Sequence, residues 1–303
     1  LGAIAADAWR GKYRVILALS AVYCAGHVIL AVNTTQLGLV LGLAVLAIGA
    51  GGIKPCVSAH VGDQFGERNA HLVTRAFAFF YLAINVGAAI AMNLTPWLLD
   101  TYGPHAAFGL PGVLMVIATF VFWLGRHRFA HIPPGGKAFV KEALGAEGLR
   151  VFGRLALLFT FVALFWTLFD QTASSWVAQG RRMDLHGHNW LADNMQSANP
   201  IFILLLTPLF ALYVYPRLER HVALTPMRKI GVGMVIAALA FLYSAGLEAQ
   251  LDAGAKPTIF FQLIGYAILT TGELLVSVTA LEYAYTQSPP RMKSMVMSLY
   301  LAS

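Results

Sequence analysis

The chain has 303 residues, of which 58% are hydrophobic and 12% charged, with a formal net charge of +7 and a mean hydropathy of +0.67. A soluble domain carries about twice that charged fraction, so a protein core alone does not absorb this sequence and lipid is its expected solvent. The basic residues lie in short clusters between long apolar runs, which excludes a nucleic-acid reading, and the two cysteines, Cys24 and Cys56, lack the spacing of a disulfide framework or a zinc site.

A stretch of about 20 apolar residues crosses a bilayer as a helix. Taken in chain order, eight such stretches are predicted: Tyr13–Val32, Gln36–His60, Thr74–Leu99, His105–Leu124, Val151–Gln179, Ala198–Tyr215, Met227–Leu247 and Thr258–Tyr285. Leu1–Ala6 reads as the tail of an earlier stretch and Ser294–Ser303 as the start of a later one; with no initiating Met, the chain reads as a piece of a longer protein. The fold class expected is an all-α membrane protein. The connections alternate in charge. One set, beginning with Arg10, Lys12 and Arg14 and ending with Arg291 and Lys293, holds 17 of the 21 basic residues; the other holds only Arg181, Arg182 and Lys256. This asymmetry places the first set in the cytoplasm. The longest cytoplasmic connection, 126–150, contains Pro133, Pro134, Gly135 and Gly136 and reads as a linker between two helical bundles, 1–125 and 151–303.

Three ionisable residues fall inside or beside the apolar stretches. Ionised groups at membrane depth are costly and are functional candidates by default. Lys54, flanked by Gly51, Gly52 and Pro55, reads either as such a site or as a side chain snorkelling to the nearby cytoplasm. Asp170, followed by Gln171, Ser174 and Ser175, reads either as a proton site or as a charge at the outer interface. Glu273 lies roughly fifteen residues from either end of its stretch, too deep for a short side chain to reach water, and is expected to face a cavity. Glu282 lies nearer the cytoplasmic surface. His27, beside Gly26, reads as a packing residue. No P-loop for ATP, no nucleophile–base set and no ring of polar residues is present, which disfavours an ATP-driven pump, a membrane-embedded enzyme and a channel.

Several motifs recur in a fixed order. They are Ala6-Asp7-Ala8-Trp9-Arg10-Gly11-Lys12-Tyr13; Gly51-Gly52-Ile53-Lys54-Pro55-Cys56-Val57-Ser58 followed by Asp63-Gln64-Phe65; and Phe80-Tyr81-Leu82-Ala83-Ile84-Asn85-Val86-Gly87. The later ones are Phe165-Trp166-Thr167-Leu168-Phe169-Asp170-Gln171 with Ser174-Ser175-Trp176, Asn199-Pro200-Ile201-Phe202-Ile203, and Gly272-Glu273-Leu274 with Ser277-Val278-Thr279, Tyr285-Thr286-Gln287-Ser288-Pro289 and Met292-Lys293-Ser294. Together they resemble the proton-coupled oligopeptide transporters, the POT family of the major facilitator superfamily, over essentially the whole chain. The chain departs from the family pattern at Ala88, where Ser is usual, and at Asp170, where many bacterial members have Glu; the first-helix ExxER motif is not present.

The resemblance implies two six-helix bundles, with this chain running from the end of helix two to the start of helix eleven of twelve. It implies proton-coupled symport of di- and tripeptides by alternating access, with no cofactor beyond the proton gradient. Lys54 would lie near the peptide carboxylate and be linked to first-helix glutamates, and Glu273 would bind the peptide amino terminus. Asp170, Glu273 and Lys54 would serve proton coupling or gating, Asp170 through a first-helix arginine. Lys54 and Glu273 come from opposite halves and would clamp a zwitterion between them. Asn85 and Asn199 offer amides suited to a peptide backbone, or to helix–helix hydrogen bonds. Tyr81 and Trp166 line side-chain pockets or merely pack. Asp7, Gly11 and Lys12 would belong to a cytoplasmic gate. The expected partners are small peptides, protons and the lipid bilayer, without nucleic acid. The protein is expected to work as a monomer when full length, in the cell membrane, the inner one in a bacterium. The same fold carrying nitrate or another small anion is the alternative.

Overall fold

The computed structural model describes residues 1–188 and 190–303, and only the backbone of Glu147, Trp190 and Leu191. Two helical turns, Gly2–Ala5 and Ala6–Arg10, precede Gly11, whose φ of +77° stops them and turns the chain into α1 (Lys12–Val32). This left-handed backbone suits a residue without Cβ. The Thr35 hydroxyl accepts the amide of Gly38 at 3.1 Å and caps α2 (Gln36–Asp63). Next come α3 (Val73–Tyr102) and α4 (Pro104–Leu124), the latter opening on a proline, which lacks only a donor that the first turn leaves unused. A short helix, α5 (Gly136–Leu144), lies in the predicted linker. It is followed by α6 (Ala146–Phe169), a 3-10 turn at Asp170–Ala173, and α7 (Ser175–Arg182). The longer helices that follow are α8 (Ala198–Leu209), α9 (Pro226–Asp252), α10 (Phe261–Gln287) and α11 (Lys293–Leu301).

Among the described residues, eight helical segments are long and apolar enough to cross a membrane, one for each predicted stretch. The chain is therefore a multi-pass, all-α membrane protein. The helices overrun the apolar stretches: Glu67–Tyr102 where Thr74–Leu99 is apolar, and Gly148–Arg182 where Val151–Gln179 is. Hydropathy marks the lipid-soluble part, whereas backbone hydrogen bonding carries a helix on into polar sequence. The start of α10 moves the other way, from Thr258 to Phe261, because Asp184 pairs with this segment: its amide donates to the Pro257 carbonyl at 3.0 Å and its carbonyl accepts from Ile259 at 3.1 Å.

The chain divides into two compact units, one of residues 1–76, 94–157 and 284–302, the other of residues 77–93, 158–283 and 303. In the first, α1 packs on α2 and α4. His27 is 8% exposed, donates through Nδ1 to the Phe108 carbonyl at 3.2 Å and meets the Tyr23 ring edge-on, so it ties α1 to α4 as a packing residue. Phe139 and Ala143 of α5 are buried in a cluster with Ala8 and Met292. In the second unit α10 is the central helix: 67% of its most apolar window is buried, against 11% for Glu67–Tyr102. The two arginines that follow the α6 stretch are balanced by acids. Arg181 bonds Asp193 at 2.8 Å, and Arg182 bonds Glu248 and, at 2.6 Å, Asp252.

Helices α9 and α10 approach at a pair of glycines. A Cβ on Gly272 would lie 2.7 Å from the Gly233 carbonyl oxygen, and one on Gly233 would lie 2.7 Å from that of Gly272. Small residues let membrane helices meet backbone to backbone. Gly272→Ala is expected to destabilise the protein by about 1–3 kcal/mol through overpacking. Gly231→Ala, at a position with nothing within 4 Å of its Cβ, should be neutral. Thermal melting of the purified variants checks this; equal melting points for the two would contradict the close approach.

Candidate functional site

The second unit brings Tyr81 and Asn199 onto the Glu273 carboxylate, with Asn85 one step removed. Glu273, 3% exposed, stands on the most buried helix. Its Oε1 accepts from the Tyr81 hydroxyl and its Oε2 from Asn199 Nδ2 at 2.5 Å. The same Asn199 nitrogen donates to Thr270 Oγ1 at 3.0 Å, one turn before Glu273 on α10. Asn85, 6% exposed, is one turn beyond Tyr81 on α3 and donates to the Tyr81 backbone carbonyl at 3.0 Å. Asn85 thus bonds its own helix rather than a neighbour. Among the described residues no cation pairs with Glu273. A buried carboxylate is expensive unless hydrogen-bonded and paired. Here both oxygens have neutral donors, and among the described residues a charge on this carboxyl would have no counterion.

Trp166 and Asp170 belong to the same unit but not to this hydrogen-bonded group. Trp166 is half-buried and packs edge-on against Phe165 and Phe169, at 5.5 and 5.2 Å between ring centres. Asp170 is exposed and opens the 3-10 turn that interrupts the helix between α6 and α7; among the described residues it has no ion pair. Lys54 lies in the first unit, exposed and likewise without an ion pair among the described residues. It borders a cavity of about 340 Å³ with Gly51, Pro55, Ser298 and Leu301. The two glycines before it have different surroundings. Gly52 packs against Leu19 and Gly2, whereas a Cβ at Gly51 would meet nothing within 4 Å.

A second charged group, on the side of the bilayer that carries the basic loops, lies wholly within the first unit. Lys12 Nζ, 6% exposed, bonds Asp63 Oδ2 at 2.6 Å and lies 3.9 Å from Asp7 Oδ1. The Tyr285 hydroxyl donates to the other oxygen of Asp63 at 3.0 Å, and the Lys293 ammonium lies 3.4 Å above the Tyr285 ring. Asp7 accepts the Met295 amide at 2.9 Å in the first turn of α11, where a carboxylate offsets the helix dipole. Gly11 shapes the turn between Asp7 and Lys12. Asp7, Gly11 and Lys12 were readable from the sequence. Their partners Asp63, Tyr285 and Lys293 appeared there only as motif letters; the available signal was that each lies at a helix end on the basic side.

A profile of the POT family matches residues 13–146 and 142–303. The chain belongs to the POT family. It is 35% identical over 304 residues to peptide transporter family 1 of Drosophila melanogaster, covering 84% of this chain and 41% of that protein. It is 34% identical over 334 residues to solute carrier family 15 member 2 of Rattus norvegicus, covering 93% and 46%. The chain therefore spans less than half the length of these curated relatives. Among solved structures it is similar to the POT family transporter PepTSo, with a TM-score of 0.79, 35% identity and coverage of 99% of this chain and 74% of that one. An auto-inhibited POT family peptide transporter matches with a TM-score of 0.79 and 34% identity, covering 99% and 73%. The fold is accordingly that of the POT transporters within the major facilitator superfamily.

The charged group on the basic side makes a pH-dependent prediction for this POT family chain. Burial pushes Lys293 down to about 8 from 10.5; Asp63 opposes the shift and Lys12 adds to it. Burial raises Asp7, opposed by Ser294, Lys12 and the Met295 amide. Between the folded value of Lys293, about 8, and its ordinary 10.5, the unfolded chain holds more protons, so this lysine makes stability rise with pH across that window. Its destabilising contribution is full below the window and absent above it. Lys293→Gln should flatten the rise. Melting temperatures of parent and variant across the window check this, and parallel profiles would contradict the burial of Lys293.

Proposed function

We propose that the whole protein is a proton-coupled symporter of di- and tripeptides. The observation that carries this reading is Glu273: a carboxyl group buried on the central helix, oriented by Tyr81 and Asn199 and, among the described residues, without a protein cation. A group of this kind is stabilised by an incoming ammonium or by a proton, and it opposes a lone anion such as nitrate. A peptide amino terminus supplies the ammonium. Lys54 supplies a mobile cation for the carboxylate end, and Asp170, at the break between α6 and α7, supplies an exchangeable charge at a point where a helix can bend. Relatives that match across most of this chain are named peptide transporters. Related structures are described in complex with a thioalcohol-conjugated peptide and with alafosfalin.

In this reading 1–125 and 151–303 belong to two bundles joined by the linker 126–150, which rock about a midplane site. Asp7, Gly11 and Lys12, with Asp63, latch the cytoplasmic ends of the helices in one state. Transport needs no cofactor and no catalytic step, so the protein is not an enzyme. It works as a monomer in the cell membrane.

Proteoliposomes holding the whole protein test this. An inward proton gradient should drive accumulation of labelled di-alanine, with competition by unlabelled di- and tripeptides and none by free alanine or nitrate. Asp170→Asn should lower gradient-driven uptake by about tenfold while leaving equilibrium peptide binding within about twofold. Uptake indifferent to the gradient, or nitrate competing better than peptide, would refute the reading.

A further inference from the structure

A cavity of about 470 Å³ opens on the basic side of the first unit, between the turn that carries Trp9, Arg10, Tyr13 and Arg14 and the segment His131–Pro134 that leaves α4. Its far wall is pinned in place. Gln64 bonds both backbone groups of Ala130, accepting the amide at 2.9 Å and donating to the carbonyl at 3.4 Å. His131 Nε2 donates to the Arg126 carbonyl at 2.7 Å, and its ring meets the Tyr13 ring edge-on at 5.0 Å. Gly135 donates to the Asp7 carbonyl at 2.7 Å. Tyr13 in turn stacks on Phe122 at 5.3 Å. The walls are thus held by hydrogen bonds and rings.

The charge lining it is positive and unspent. Lys12 is buried and committed to Asp63, whereas Arg10 and Arg14 on either side of it are exposed. Among the described residues neither arginine has an ion pair or a side-chain hydrogen bond, and no acid lines the cavity. Helix α1, long and apolar enough to cross a membrane, begins at Lys12, so Arg10 and Arg14 flank the basic end of a candidate membrane span. Trp9, 71% exposed at the same level, presents a large aromatic surface where indole rings favour the interface. Arginine forms paired hydrogen bonds to phosphate, and basic side chains at this depth attract anionic lipid. A soluble phosphate would use the same two arginines but has no use for an exposed indole or for a site at the edge of the hydrocarbon.

We propose that this cavity binds the phosphate headgroup of an anionic phospholipid, with Arg10 and Arg14 on the phosphate and Trp9 at the glycerol and upper acyl level. Gly11 of the proposed latch shares the lining, but the residues assigned to peptide and proton do not, and the test reads lipid contact rather than transport.

The whole protein is placed in nanodiscs of phosphatidylcholine containing a minor fraction of brominated phosphatidylglycerol or brominated phosphatidylcholine. Quenching of Trp9 is taken as the difference between the parent and Trp9→Phe. The phosphatidylglycerol probe should quench Trp9 about threefold more than the phosphatidylcholine probe. Arg10→Gln with Arg14→Gln should bring the ratio to about one. Among the described residues both side chains lack an ion pair or side-chain hydrogen bond, so the variant should keep the parent's melting temperature. Arg150→Gln with Arg154→Gln removes the same charge elsewhere in the same set of basic connections and should leave the preference intact. Equal quenching by both probes, a preference that survives loss of Arg10 and Arg14, or one abolished equally by the Arg150 and Arg154 control would overturn the proposal. Loss of the preference in millimolar inorganic phosphate would overturn the lipid assignment in favour of a soluble anion.

Discussion

A buried carboxyl group with no protein counterion among the described residues constrains everything packed around it. Glu273 must sit on a helix buried enough to keep it from lipid, and α10 is that helix. Its two oxygens must be hydrogen-bonded, which fixes Tyr81 on α3 and Asn199 on α8. Asn199 reaches both Glu273 and Thr270 through one amide nitrogen, so the spacing of a single helical turn on α10 is matched to the two hydrogens of that group. Gly272 brings the backbone of α9 against α10 one residue before Glu273. Packing and polar satisfaction therefore converge on the same turn, and a shift of that turn would break both.

The first unit solves a similar problem in a different way. There the buried charges neutralise one another: Lys12 lies between Asp63 and Asp7, and Asp7 also serves the first turn of α11. Paired charges of this kind lock helix ends. The group at the basic side is self-neutralised, whereas the acid on α10 has only neutral partners among the described residues; the proposed function assigns the first to a latch and the second to peptide recognition. Arg10 and Arg14, beside the latch but outside it, retain their charge for the bilayer surface.

Much of this was legible in the residues. The eight spans follow from hydropathy alone, whereas the acids that take up Arg181 and Arg182, namely Asp193, Glu248 and Asp252, are seen only in the structure. Counting residues led to the expectation that Glu273 is kept from water, and the structure shows its side chain buried. The partners did not: Tyr81 and Glu273 are 192 positions apart, and an apolar pattern does not specify which helices meet. Asn85 shows the limit clearly. An amide in a membrane helix reads as a ligand or as glue between helices, yet its nitrogen bonds the Tyr81 carbonyl one turn back. The 3-10 turn at Asp170 was also hidden, because no proline or glycine marks it.

The central claim is that Glu273 recognises the amino terminus of a peptide. Calorimetric titration of the purified whole protein with di-alanine and with its N-acetylated form tests it most directly, in the parent and in Glu273→Gln. The account predicts that the substitution weakens binding of the free peptide by about thirtyfold or more and leaves the acetylated peptide nearly unchanged. An equal loss for both peptides, or no loss for either, would contradict it.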